Sequence, residues 1–164
     1  MRMTKTIYEE EQPTQSWVMT VAWLGAGFAA IIILAASFIL GVPLLLRLLA
    51  LAVLFCALFS VWNFRRLQIR ATPDGITFGF GIFRRHLRWR DIHHVSTQPY
   101  IFLRFFGWGI RLDLRGTVGF IARTSMGVQL ETQRLKYFIS TNHPNTIYDL
   151  AQRYIAGKQK QIYK

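Results

Sequence analysis

Residues 17–40, WVMTVAWLGAGFAAIIILAASFIL, and residues 44–64, LLLRLLALAVLFCALFSVWNF, decide how this chain is organised. Only Gly41, Val42 and Pro43 separate them, and Arg47 is the one charged residue in either run. Each exceeds the ~20 apolar residues needed to cross a hydrocarbon core of about 30 Å, and neither shows the polar stripe of a soluble surface helix. The pattern predicts a transmembrane hairpin with spans at 17–40 and 44–64. Trp17 opens the first span and Trp62 lies at the end of the second, so an antiparallel pair puts both indoles at one interface, where amphipathic rings are favoured. Ala22, Gly25, Ala26 and Ala29 form a small-residue surface expected to pack within the hairpin. Arg47, one turn into the second span, has two open readings: snorkelling to the outer headgroups, or pairing with a partner's carboxylate. A cleaved signal peptide fits poorly, because Glu9, Glu10 and Glu11 stand where a basic region belongs and the apolar run is too long. Cys56 is the single cysteine and lies inside the second run, which argues against a disulfide framework or a cysteine metal site.

Charge predicts the orientation. Residues 65–164 hold 17 of the 20 Lys and Arg and 5 of the 8 acids, so they carry a formal charge of +12, the net charge of the whole chain. Basic residues flanking a span are retained on the cytoplasmic side, and Arg65, Arg66 and Arg70 follow the second span directly. The expectation is a multi-pass protein of the inner (cytoplasmic) membrane with both termini cytoplasmic. Residues 1–16 are expected to be an N-terminal tail, 65–157 a folded domain and 158–164 a basic tail.

Within that domain the hydrophobic period is two. Leu67, Ile69 and Ala71 alternate with Gln68 and Arg70, and Pro73-Asp74-Gly75 supplies a turn. Strands are expected at 76–82 and 84–89, around Ile92 and Val95, at 109–114 with an option of continuing to Ile121, and at 127–132 and 136–141. Pro144 then opens a helix in which Ile147, Leu150, Ala151, Tyr154 and Ile155 recur at helical spacing, with Gly157 as its stop. About seven strands and one closing helix make a small sheet domain.

The order Trp89-x-Asp91-Ile92-x-x-Val95, Phe106-Gly107-Trp108-Gly109-Ile110-Arg111, Met126-Gly127-Val128-Gln129-Leu130-Glu131 and Tyr137-Phe138-Ile139-Ser140-Thr141 before Pro144 resembles the bacterial pleckstrin-homology-like domains found behind paired transmembrane helices. The resemblance spans residues 67–156 and implies a mainly-β, seven-stranded barrel or sandwich capped by a C-terminal helix. It also suggests phosphoinositide binding. Strongly binding members cluster basic residues at the first hairpin loop, whereas here that loop is Ala71-Thr72-Pro73-Asp74-Gly75, so the specific headgroup site does not carry over.

The basic residues lie elsewhere. Arg84, Arg85, Arg88 and Arg90, with Arg65 and Arg66 near the span, are the candidate contacts to an anionic surface; near such a leaflet each is worth about 1 kcal/mol. A solvated strand face is the alternative. Nucleic acid is not expected, because Phe78, Phe80 and Trp89 fall on the predicted core face and leave no exposed stacking platform. The segment Tyr100-Ile101-Phe102-Leu103-Arg104-Phe105-Phe106-Gly107-Trp108 is more apolar than a surface loop. Ile101, Phe102, Arg104, Phe105 and Phe106 are therefore candidate contacts to a membrane or a partner, with core filling as the alternative.

Catalysis finds no foothold. His93 and His94 point to opposite faces of a strand, the acids are scattered, and no phosphate-cradling loop or nucleophile elbow is present, so neither enzyme activity nor a cofactor is expected. Two functions remain: an anchored module that binds or scaffolds a protein or anionic lipid, or an accessory or assembly subunit of a larger membrane complex that docks through the hairpin.

Overall fold

A computed structural model describes residues 6–39, 41 and 43–162. The chain divides into two units: residues 15–65, and residues 66–164 together with the segment up to Thr14.

The first unit is α1 (Ser16–Ile39) and α2 (Leu44–Asn63), with spans of 22 and 20 residues at mean hydropathy 2.3 and 2.6. By length and composition both are able to cross a membrane. Ala22, Ala26, Ala30 and Ile33 on α1 and Ala50, Leu54, Leu58 and Val61 on α2 are partly covered, a three-and-four spacing that marks the helix-facing stripe. Leu24, Phe28, Leu45 and Phe55 are about two-thirds or more exposed. The expected small-residue packing is corrected in part: Ala22 and Ala26 lie on the covered stripe, but Gly25 and Ala29 are exposed, and a Cβ at Gly25 would meet nothing within 4 Å. Polar side chains in the helices bond locally. Thr20, Ser37 and Ser60 donate to the carbonyls of Ser16, Ile33 and Cys56, four residues back in each case.

The second unit contains two sheets. β1 (Tyr8–Pro13), β2 (Arg66–Thr72), β3 (Gly75–Phe80) and β4 (Phe83–Arg88) form an antiparallel sheet in chain order. β5 (Ile92–Pro99), β6 (Gly109–Leu112), β7 (Thr117–Ile121), β8 (Met126–Thr132) and β9 (Lys136–Ser140) form the other, in the order β5-β8-β9-β7-β6, with β7 and β9 parallel. A single turn, α3 (Phe102–Phe105), precedes β6, and α4 (Pro144–Ile162) closes the chain.

Several expectations change. The strand count rises from seven to nine among the described residues. Gly109 to Ile121 is two strands, because Asp113 accepts the backbone N–H groups of Arg115 and Thr117 at 2.8 and 2.6 Å and turns the chain. Trp89 is buried as expected but sits in a 3₁₀ turn; its Nε1 donates to the Thr72 carbonyl, and its ring stacks on Tyr154 at 5.1 Å. α4 runs through Gly157, where a lone glycine costs about 1 kcal/mol without ending a helix. The start of the expected basic tail is thus helical, while Tyr163 and Lys164 lie outside the described residues, as do residues 1–5.

The largest correction is the N-terminal tail. Residues 8–13 are not a tail: they are an edge strand paired along its length with β2, from Tyr8 opposite Ala71 to Pro13 opposite Arg66. Its three glutamates alternate faces. Glu9 and Glu11 are exposed and bond Arg70 and Arg66, respectively, whereas Glu10 is buried. The Glu10 carboxylate accepts four hydrogen bonds, from the Tyr8 hydroxyl (2.6 Å), Gln12 Nε2 (2.7 Å), the Thr141 hydroxyl (2.6 Å) and the Asn142 N–H (2.9 Å). Burial alone would raise its pKa, but these donors hold it below the usual glutamate value. Strand β1 is thereby fastened to both β2 and the end of β9.

Both faces of the second sheet are packed. Toward the first sheet, Phe78 meets Phe120 edge-on at 4.9 Å and Tyr137 at 5.7 Å. On the other face, Phe105 stacks on Phe138 at 5.1 Å, beside Ile121, with Tyr100 and Trp108 packed around them.

Candidate functional site

Strand β4 is an edge of its sheet, and Leu87 is its only buried residue. Edge strands avoid unwanted pairing by carrying charge, and β4 carries Arg84, Arg85 and Arg88. The turn after it brings Arg90, and α4 brings Arg153 to the same end of the fold. Arg88, Arg90, Arg153 and His86 line an open cleft of about 760 Å³ together with Pro73, Asp74, Gly157 and the stacked Trp89–Tyr154 pair. Asp74 lines the cleft and Asp91 pairs with Arg90 at 3.8 Å, so three guanidinium groups against these two carboxylates leave it net cationic. A second groove of about 470 Å³ shares His86 and Arg90 and adds Arg85, His93, Arg134, Asp91 and Tyr137.

Four of the six basic residues singled out in the sequence thus lie on or next to one cationic side of the sheet unit. Arg88 and Arg90 line the cleft, Arg85 and Arg90 the groove, and Arg84, exposed, donates to the Gly81 carbonyl at 2.8 Å. The other two have local duties. Arg66 pairs with Glu11 at 3.3 Å, and Arg65 belongs to the helical unit, with its guanidinium 5.6 Å from the centre of the Trp62 ring. Sequence reasoning missed Arg153 and Arg134. Arg153 stands one residue before Tyr154 in the helical repeat, but no local pattern places it against β4.

The apolar segment divides just as its two readings did. Phe105 is buried, which removes it as a contact residue. Arg104 is also corrected: its guanidinium bonds Asp113 at 2.6 Å, the Thr117 hydroxyl at 2.9 Å, and the Gln98 and Gln129 side-chain oxygens at 3.2 Å each. Asp113 is itself buried; burial would raise its pKa, but the Thr117 N–H, Arg104 and the Arg115 N–H hold it below the usual aspartate value. Arg104 is therefore a rivet between α3 and the β6–β7 turn. Ile101, Phe102 and Phe106 do remain exposed, at 51%, 51% and 64%. Phe106 takes a left-handed φ of 52°, a conformation that costs a non-glycine residue about 1–3 kcal/mol and persists only where neighbours impose it. Phe106 caps α3, donating its N–H to the Phe102 carbonyl at 2.7 Å, and the Tyr100 hydroxyl donates to the carbonyl of the next residue, Gly107, at 3.0 Å.

Among the described residues no group of three or more His, Cys, Asp or Glu is placed to hold a metal ion. No protein-family model, curated protein or solved structure matches this chain.

Proposed function

We propose that this chain is a non-enzymatic, membrane-anchored module whose sheet unit, of pleckstrin-homology-like type, binds or scaffolds a protein partner or anionic lipid at the cytoplasmic membrane surface. The observation that carries the reading is the cationic cleft of Arg88, Arg90 and Arg153, built on a domain tied by chain connectivity to two long apolar helices. The first sheet supports the shared side of the termini. Strand β1 precedes α1 and β2 follows α2, and the two strands pair, which requires both ends of the hairpin to be in one compartment. An even number of crossings satisfies that requirement. The four-plus-five arrangement of strands closed by α4 fits the implied fold in its two sheets and terminal helix, and departs from it in the added β1 and β7 and the parallel β7–β9 pair.

Hydrogen–deuterium exchange on the full chain in nanodiscs tests this. Phosphatidylglycerol in place of phosphatidylcholine is expected to slow exchange across β4 and the part of α4 around Arg153, and Arg88→Glu with Arg153→Glu is expected to abolish the difference. No lipid-dependent protection would sink the lipid half of the proposal. The protein half fails if a partner that co-purifies in mild detergent is retained by the same double reversal.

One observation favours the second reading, a subunit docking through its hairpin. Val21, Trp23, Leu24, Phe28 and Ile31 surround Gly25 and Gly27 in an apolar groove of about 680 Å³ on the exposed side of α1. Gly25→Leu is expected to release the protein from a larger complex while leaving the sheet unit folded. Unchanged assembly size would count against docking there.

A further inference from the structure

The ion pair between Arg104 and Asp113 ties α3 to the β6–β7 turn, and it sorts the side chains around it. Asp113, the only acid in the sequence Arg111-Leu112-Asp113-Leu114-Arg115, is turned inward and neutralised, with its side chain 1% exposed. Its neighbours are turned out: Leu112 is 70% exposed, Leu114 fully so, and Leu103, beside Arg104, 76%. Ile101, Phe102 and Phe106 add three more exposed apolar side chains to the same riveted segment, and Arg111 and Arg115 bracket the leucines with exposed cations. The exposed side chains of this tip are therefore mainly apolar, with two cations among them and the carboxylate hidden. The tip is also held rigid, by the Arg104 bonds at one end and the Tyr100–Gly107 bond at the other.

We propose that the tip formed by α3 and the β6–β7 turn inserts its leucines and phenylalanines into the interfacial layer of an anionic bilayer, with Arg111 and Arg115 on the headgroups. The proposal rests on the membrane-anchored reading and adds a second, shallow lipid contact to it. Apolar side chains flanked by Lys or Arg are the composition of elements that lie in a membrane interface, where burial of apolar surface and attraction to anionic lipid act together. A neutral or basic protein surface would gain nothing from a hidden acid beside two exposed arginines, one of which, Arg111, also donates to the Trp108 carbonyl. An anionic lipid surface gains from both. The β7–β8 turn at the opposite end of β7, around Arg123, carries no comparable cluster of exposed large apolar residues and serves as the internal contrast.

Site-directed spin labelling of the full chain tests this, in a Cys56→Ser background and in vesicles of phosphatidylethanolamine and phosphatidylglycerol. Single labels are placed through Leu103→Cys, Leu114→Cys, Arg123→Cys and Leu49→Cys; all four positions are exposed, so the labels displace no buried side chain. Labels at 103 and 114 are expected to collide severalfold more with dissolved oxygen, relative to a water-soluble nickel chelate, than the label at 123, approaching the ratio at 49. Replacing phosphatidylglycerol with phosphatidylcholine is expected to lower that ratio at 103 and 114 and leave it unchanged at 49. A water-like ratio at 103 and 114 with a lipid-like ratio at 49 overturns the insertion and leaves the anchor intact. Shielding of 103 and 114 from both reagents overturns it in favour of a protein contact. A water-like ratio at 49 overturns the anchor itself.

Discussion

The two edges of the four-stranded sheet carry dense charge of opposite sign and put it to different use. On β1 every acid is spoken for: Glu9 by Arg70, Glu11 by Arg66 and Gln68, and Glu10 by four donors in the interior. On β4 the arginines face solvent and line a cleft and a groove. Charge count alone would rank the edges alike. The difference lies in what stands opposite, since β1 faces arginines of β2 across the ladder while the β4 arginines face Gly75, Phe78 and Gly79 of β3. One edge uses charge to join the fold, and the other leaves it exposed to solvent, free for the contact proposed above.

Substitution at Glu10 is the severest way to break that contrast. Glu10→Leu strands the buried Thr141 hydroxyl and the Asn142 N–H, and is expected to cost about 3 kcal/mol. Thermal melting of the full chain in detergent, compared with Glu9→Leu, checks it; equal small losses would mean that β1 is dispensable. Next comes Gly79, which has a φ of 154° and where a Cβ would lie 2.1 Å from the Phe83 carbonyl oxygen on β4. Gly79→Ala is expected to cost roughly 2 kcal/mol by prising β4 away, and faster amide exchange in β4 would report it. Gly116→Ala, with open space around it but a φ of 75°, should cost less.

Acid sharpens the comparison without a mutation. Glu10 and Asp113 are both held below the ordinary carboxylate values of 4.5 and 3.8, so the stability they contribute is fully present above those values and is lost as the pH falls through the lower folded ones. Melting temperature is expected to fall as the pH is lowered below about 4.5, and Glu10→Gln should flatten the upper part of that fall. A parallel decline in the variant would assign the acid sensitivity elsewhere. The smallest expected change is on the other edge: Arg84→Gln with Arg88→Gln should shift stability by no more than about 0.5 kcal/mol, because exposed side chains carry little of the fold. A larger loss would give the β4 cations a structural duty.

The helices were legible because only Arg47 interrupts their apolar runs with a charge. Strands β2, β3 and β8 were legible because Leu67, Ile69, Phe78 and Leu130 alternate with polar or small residues, and β9 because Tyr137, Phe138 and Ile139 form a short apolar run. Strand β1 was not, for a physical reason: its inward positions are Glu10 and Gln12, so it has the right period with polar residues in the apolar slots. Its burial depends on donors some 130 residues away, which no local window contains. The segment 100–108 was readable as unusual but not as divided, since the separation of Phe105 from Phe106 follows from one left-handed backbone angle. Of the cationic cleft, Arg88 and Arg90 were visible in sequence. Arg153 and Tyr154 came to it only through the packing of α4 on the 3₁₀ turn.

The β1–β2 ladder also bears on biogenesis. Its two strands are made roughly fifty residues apart, and the intervening chain is the apolar helical pair. A nascent chain that threaded only one helix through a bilayer would leave the two strands on opposite sides of it, with the carboxylate of Glu10 severed from Thr141 and the flank of β2 bare. If the helices span a bilayer as proposed, completion of the sheet would proofread the number of crossings, and a mis-threaded copy would advertise itself to proteolysis by an unzipped edge.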